Sequence, residues 1–231
     1  MMTGPVLLRA DGLRRHFDGV AAVDGITLTL RAGDRHALVG PNGAGKTTVL
    51  NLLAGTLRPT AGRIHWLGRD ITRRGPVYRA RAGIGRSFQT PTVMPSLSTL
   101  DNLVLGAWAR TRRPWWPAAR LRRLRVEAMA TLARVDLAPL AGAPAAALSH
   151  GQRRLLDIAM AMSGRPSLLL LDEPAAGLDG ADDLRRLLDL LGALPHDMAV
   201  VLVEHHLDVV AAVATTVTEL DHGRVVHHAA G

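Results

Sequence analysis

The sequence predicts an α/β fold, and three observations carry that reading. Short apolar runs bounded by turn residues recur at Val6–Arg9, Ile26–Leu30, Ala37–Val39, Ile64–Leu67, Ser167–Leu171 and Ala199–Val203. Runs with helical periodicity separate the later ones. Between residues 35 and 55 the stretch RHALVGPNGAGKTTVLNLLAG reads as a buried strand, a Gly-rich turn and a helix in direct succession.

Composition bounds the class. At 48% hydrophobic and 21% charged residues, the 231-residue chain is neither disordered nor collagen-like and can bury an ample core. It has no cysteine, which excludes a disulfide framework, a thiolate metal site and a Cys nucleophile, and suits a reducing cytosol. No apolar run approaches the roughly 18 residues of a membrane span. The start, MMTGPVLLRADG, lacks the basic and long apolar regions of a signal peptide. A formal charge of +8 permits contact with nucleic acid or an anionic membrane but decides nothing about fold. Of the 28 basic residues 27 are arginine, and the exception is Lys46. Coding bias accounts for the arginines. A lysine that survives it marks a position needing a compact ammonium on a flexible stem.

Taken in order, the elements begin with strands near the N-terminus, where ITLTL (Ile26–Leu30) alternates with period two and expects one buried face. The helix after the Gly-rich turn runs about three turns and ends near Gly55. From Thr72 to Gly164 the pattern is mostly helical. Leu100, Leu103, Val104, Ala107 and Trp108 form an amphipathic stripe, and further helices are expected over about Ala119–Arg134 and His150–Ser163. SLLLL and AVVLV are continuous apolar runs, as expected of strands covered on both faces, with a crossover helix over Asp182–Ala193 between them. TELDHGRVV reads as a hairpin turning at Asp221–Gly223. The expected organisation is one domain over 1–231, with an α/β core (1–89 and 165–231) interrupted by a helical insertion (90–164).

Gly40-Pro41-Asn42-Gly43-Ala44-Gly45-Lys46-Thr47 fits the phosphate-loop pattern G-x-x-x-x-G-K-S/T without deviation. Glycines let backbone N–H groups converge on phosphate oxygens, and the following helix, beginning with Thr47 and Thr48, presents its positive end. Lys46 would reach the β- and γ-phosphates, and the Thr47 hydroxyl would ligate Mg²⁺. Two later strands run into Asp172-Glu173-Pro174 and Glu204-His205. In an open parallel sheet ligands sit beyond the carboxyl ends of strands, so these groups share one edge with the loop. Asp172 can hold the Mg²⁺ shell, Glu173 can orient or deprotonate a water in line with the γ-phosphate, and His205 can hydrogen-bond that phosphate or water.

At LSHGQ (Leu148–Gln152), some twenty residues before LLLLDEP, the chain resembles the ATP-binding cassette (ABC) family, whose pattern is LSGGQ; His150 replaces the first glycine of the pair. Ser149 and Gln152 make an S-x-x-Q capping box, which opens a helix whose N–H groups can meet a phosphate. The resemblance implies that Ser149, Gly151 and Gln152 face ATP held by the other cassette of a dimer. It also implies that Gln89 links Mg²⁺ and the attacking water to the helical part, that Ala176–Asp179 crosses the dimer interface, and that His205 is the switch histidine. Phe17 sits where the family stacks an aromatic ring on adenine; an N-terminal Phe in the core is the other reading. The fold implied is a P-loop NTPase (RecA-like) core with an antiparallel β edge and an inserted α-helical subdomain.

FQTPTVMPSLSTLDNLVLGAW, LSHGQRRLLDIAMAM and VVLVEHHLDVV resemble the importers of branched-chain amino acids and of urea or amides. What the resemblance implies is an ATPase using ATP and Mg²⁺, peripheral on the cytoplasmic side of the inner membrane. Its implied partners are two transmembrane permease subunits, a second ATPase subunit (self or related) and a substrate-binding protein, with no nucleic acid expected. A soluble ABC ATPase acting on ribosome or nucleic acid is the alternative. The stretch Ala109–Arg125, rich in arginine and holding Trp115-Trp116, reads either as a contact near lipid headgroups or as a solvated loop. His222, His227 and His228 are read as surface residues.

Overall fold

The computed structural model describes residues 4–110, 117–178 and 180–230; Asp179 and the Trp115-Trp116 pair lie outside the described residues. Strands β1 (Val6–Phe17) and β2 (Val20–Arg31) form a long antiparallel hairpin. With β4 (Ala61–Trp66) and β5 (Arg69–Asp70) they make a four-stranded antiparallel sheet in the order β2-β1-β4-β5. The alternation in ITLTL is realised directly: Ile26, Leu28 and Leu30 are buried while Thr27 and Thr29 are exposed. Both hairpin strands are longer than their apolar runs, because backbone pairing continues through polar residues with several register shifts.

The second sheet holds β3 (Arg35–Val39), β6 (Ile84–Arg86), β7 (Leu168–Asp172), β8 (Ala199–Val203), β9 (Thr216–Asp221) and β10 (Arg224–Ala230) in the order β10-β9-β3-β8-β7-β6. All neighbours are parallel except the terminal hairpin β9–β10. Its central strands are covered on both faces. Leu168 and Leu170 of β7, with Val201 and Val203 of β8, join the core shared with α1 (Lys46–Ala54) and the antiparallel sheet. Leu169 and Leu171, with Val200 and Leu202, pack on the opposite side. There they meet the helices α3 (Thr99–Ala109), α4 (Ala118–Arg134), α5 (His150–Met162) and α6 (Ala181–Gly192). This two-sided cover is the physical reason for the unbroken apolar runs.

Three elements depart from the sequence expectation. β6 lies inside the stretch expected to be mostly helical, and its three residues are too few to show a period. Strand β5 and helix α7 (Leu207–Val213) match no expected element, each being short, whereas α2 (Pro76–Arg81) falls within the stretch expected to be mostly helical. The consequence for the site is topological: the carboxyl ends of β3, β6, β7 and β8 lie on one edge of the sheet, followed respectively by residues 40–45, 87–89, 173–175 and 204–206.

Candidate active site

The loop after β3 is built by packing as much as by conformation. Gly40 has φ 138, and a Cβ there would lie 2.1 Å from the Leu220 carbonyl oxygen; at Gly45, φ 98, it would lie 2.3 Å from that of Ala22. Gly43, at φ 82, faces open space, so its requirement is the left-handed backbone alone. Asn42 and Gly43 are exposed, as is Thr47 on the first turn of α1, and Thr48 is half-buried. No acidic residue stands in that first turn, which leaves the positive helix end uncompensated.

Lys46 is 5% exposed, and its Nζ donates to the carbonyls of Gly40 at 2.7 Å and Pro41 at 2.8 Å. Burial lowers its pKa, against the opposing pull of Glu173 and Asp172. Among the described residues no carboxylate comes within ion-pair distance of this ammonium. A buried cation held by carbonyls alone, beside a helix N-terminus, suits an anionic phosphate.

Across the loop, Thr47 Oγ1 donates to Asp172 Oδ1 at 3.1 Å. Asp172 is 1% exposed, and burial raises its pKa while Arg86 and the Thr47 bond oppose the rise. A hydroxyl and a carboxylate oxygen side by side are hard donors that fit Mg²⁺. Arg86, at the end of β6, was not anticipated from sequence. Its Nη2 lies 3.4 Å from Asp172 Oδ2, and its guanidinium stacks 4.7 Å from the Phe88 ring centroid.

The next residue, Glu173, adopts φ +48, a left-handed conformation that costs a non-glycine residue about 1–3 kcal/mol and clusters at functional sites. Its two carboxylate oxygens are held from opposite directions. Gln89 Nε2 donates to Oε2 at 3.1 Å, and His205 Nε2 lies 3.1 Å from Oε1. His205 is itself fixed by the buried Glu204, which accepts from the N–H groups of His205 at 2.7 Å, His206 at 3.0 Å and Ala175 at 2.8 Å. Glu204 thereby ties the ends of β7 and β8 together.

The structure therefore brings Lys46, Thr47, Asp172, Glu173, Gln89 and His205 to one edge. Ser149–Gln152 stand apart: among the described residues no hydrogen bond or ion pair joins them to that group. The capping box is formed reciprocally, with Gln152 N donating to Ser149 Oγ at 3.1 Å and Ser149 N to Gln152 Oε1 at 2.9 Å. A Cβ on Gly151 would meet Asp183 Oδ2 at 2.3 Å, and one on Gly177 would meet His150 Nε2 at 2.3 Å. The ends of the Asp183 and His150 side chains thus lie against these two glycines, and at Gly177 the backbone itself, at φ +75, favours glycine. Asp179, assigned to an interface by resemblance, lies outside the described residues. Phe17 ends β1 at 40% exposure with the Arg15 guanidinium 4.6 Å over its ring, so the core reading does not hold. Among the described residues no helix is long and apolar enough to cross a membrane.

Comparison with known proteins agrees with this geometry. The family model described as ABC transporter matches residues 23–176. The high-affinity branched-chain amino acid transport ATP-binding protein BraF of Pseudomonas aeruginosa is 34% identical over 232 residues, covering 96% of this chain and 90% of that one. A putative ribose/galactose/methyl galactoside import ATP-binding protein of Burkholderia cenocepacia is 34% identical over 220 residues, covering 94% of this chain. The chain spans only 42% of that relative's length. Among solved structures, the ADP conformation of an ATP-binding cassette of an ABC transporter superposes with TM-score 0.83 at 26% identity, over 98% of this chain and 91% of that one. A nucleotide-free cassette does so with TM-score 0.82 at 25% identity, over 98% and 92%. Phosphate loop, paired acids, capped LSHGQ helix and family match converge: the chain is an ATP-binding cassette of the ABC transporter family.

Proposed function

We propose that this cassette hydrolyses ATP to drive separate transmembrane subunits of an importer. One observation carries the reading above the others. Glu173, placed one residue after the carboxylate that touches Thr47, is gripped by Gln89 on one side and His205 on the other. A carboxylate so oriented can accept a proton from a water attacking the γ-phosphate, and the two holders fix which lone pair faces it. Lys46 and the loop N–H groups bind the phosphates. Thr47 and Asp172, with Gln89 alongside, would hold Mg²⁺, which supplies charge neutralisation at the phosphates when bound. His205 steadies Glu173 and contacts the phosphate or the water. Phe17 stacks on the adenine.

Ser149, Gly151 and Gln152 serve the ATP of a second cassette, self or related, because in this chain they stand apart from its own loop. Asp179 belongs to the same interface. The division of labour is an α/β core of 1–89 and 165–231 that holds nucleotide and a helical part of 90–164 that meets the membrane partners. Those partners are two permease subunits, supplied by a substrate-binding protein, with the cassette peripheral on the cytoplasmic face. For the cargo, an amino acid, urea or amide is favoured, since BraF aligns over nearly its whole length. Sugar import is the second reading, favoured by the equal identity to the ribose/galactose relative.

The test is ATP turnover of the purified chain against Glu173→Gln. The variant should lose about 10²-fold or more in turnover while binding ATP, and should form a dimer in ATP that the wild type does not retain. Turnover at the wild-type rate would sink the assignment.

A further inference from the structure

The side chain that touches the most parts of this site is one that contacts no reacting atom. Arg154 lies on α5 and is 0% exposed. Its guanidinium donates to five backbone carbonyls from two distant segments. Nη1 reaches Phe88 O, and Gln89 O at 3.2 Å. Nη2 reaches Asp172 O, and Glu173 O at 2.6 Å; Nε reaches Pro174 O at 3.3 Å. One turn on, the buried Asp157 meets the first of these segments with the opposite polarity. Its carboxylate accepts from Phe88 N at 3.3 Å and from both Thr92 N and Thr92 Oγ1 at 2.8 Å.

A structural arginine needs only to satisfy its own donors, and any nearby carbonyls would serve. These five belong to Phe88 and Gln89 in one segment and to Asp172, Glu173 and Pro174 in the other. Four of them bracket Gln89 and Glu173 directly, and Glu173 is the residue held at φ +48. An arginine fork has the fixed planar geometry to hold two strands at a set separation, which a point-charge ammonium does not.

We propose that Arg154 is the positioning residue of the site: it sets the Gln89 segment against the Glu173 turn and couples both to the helix that Ser149 caps. The proposal rests on the reading of Glu173 as the catalytic carboxylate. In it, a shift of α5 moves Gln89 and Glu173 together, so the LSHGQ end of the helix and the hydrolytic group report to each other through one guanidinium.

The test compares wild type, Arg154→Lys and Asp157→Asn in the nucleotide-free chain by hydrogen exchange, with steady-state turnover measured alongside. Arg154→Lys keeps the charge but has three donors on a single nitrogen for five acceptors. Amides in 87–93 and 172–178 should exchange at least ~10-fold faster, with those of β8 and α1 unchanged. Turnover should fall roughly 10²-fold with KM within about threefold, the pattern of a misplaced reacting group rather than of lost binding. Asp157→Asn should quicken exchange in 87–93 only. Wild-type exchange in both segments for Arg154→Lys would overturn the proposal. So would fast exchange spread evenly over β7, β8 and α1, since Arg154 would then support the whole fold. Glu173→Gln turning over like wild type would instead remove the catalytic reading, and the exchange result would still stand on its own.

Discussion

Nε2 of His205 lies 3.1 Å from Oε1 of Glu173, across 32 residues of sequence and two parallel strands. The contact exists because β7 and β8 are neighbours that end at the same edge, with Asp172 paired to Val203 in register. Each strand then delivers its next residues to the same place. Glu204 fixes the outcome by taking three backbone N–H groups, one from the β7 side and two from its own.

If His205 acts by holding Glu173, its removal should cost turnover and not binding. His205→Ala is expected to lose about 10²-fold in turnover with ATP affinity changed by a few-fold at most. The double variant with Glu173→Gln should be no slower than Glu173→Gln alone, because residues that act as a unit do not add. A fully additive loss, measured in the same steady-state assay, would mean that His205 works elsewhere.

The phosphate loop makes a sharper demand. Lys46 fits its head between two carbonyls at 2.7 and 2.8 Å while almost wholly buried. Arginine keeps the charge but brings a wider planar group that a pocket of backbone amides and carbonyls cannot admit in the same place. Lys46→Arg should therefore abolish turnover and weaken nucleotide binding at least ~10-fold, about 1.4 kcal/mol. Fluorescent-nucleotide titration reads the second effect, and near-normal activity would undo the argument.

These residues differ in how legible they were from sequence, and the difference is physical. The phosphate loop is contiguous, so its chemistry and spacing appear in eight adjacent letters. Asp172-Glu173 and His205 were legible one step less directly, because apolar runs announce strands and parallel strands share an edge. Arg86 and Arg154 gave no such signal, and Glu204, though placed at the same edge, gave none of its role as a holder of backbone N–H groups. They act on backbone groups or on a carboxylate brought close only by folding: Arg154 reaches Phe88 across 66 residues, and Arg86 reaches Asp172 across 86. In a chain with 27 arginines, neither of these two carries a compositional mark. β6 was missed for want of length, and with it the strand that places both Arg86 and Gln89. His228, read as a surface residue, is exposed yet bonds Thr218 Oγ1 through Nδ1 at 2.7 Å, and the same hydroxyl lies 2.9 Å from Nε2 of the buried His36.

That histidine pair gives the fold a specific pH dependence. His36 on β3 is 3% exposed, and burial, with a smaller contribution from His228, lowers its pKa from 6.5 to about 4. The folded state thus favours the neutral ring, and the unfolded chain takes up the proton first. The stability contributed by the neutral form is complete above the unfolded value and is lost as pH falls through the window from 6.5 to about 4. Between pH ~7.5 and ~5 the expected loss from this group is about 2 kcal/mol. Replacement by Gln preserves a partner for Thr218 and removes the titration. Urea unfolding of wild type and His36→Gln at the two pH values isolates the term, because other titrating groups contribute equally to both. The wild type should lose about 2 kcal/mol more than the variant over that interval, and a difference between them that stays constant with pH would show that His36 is not the group responsible.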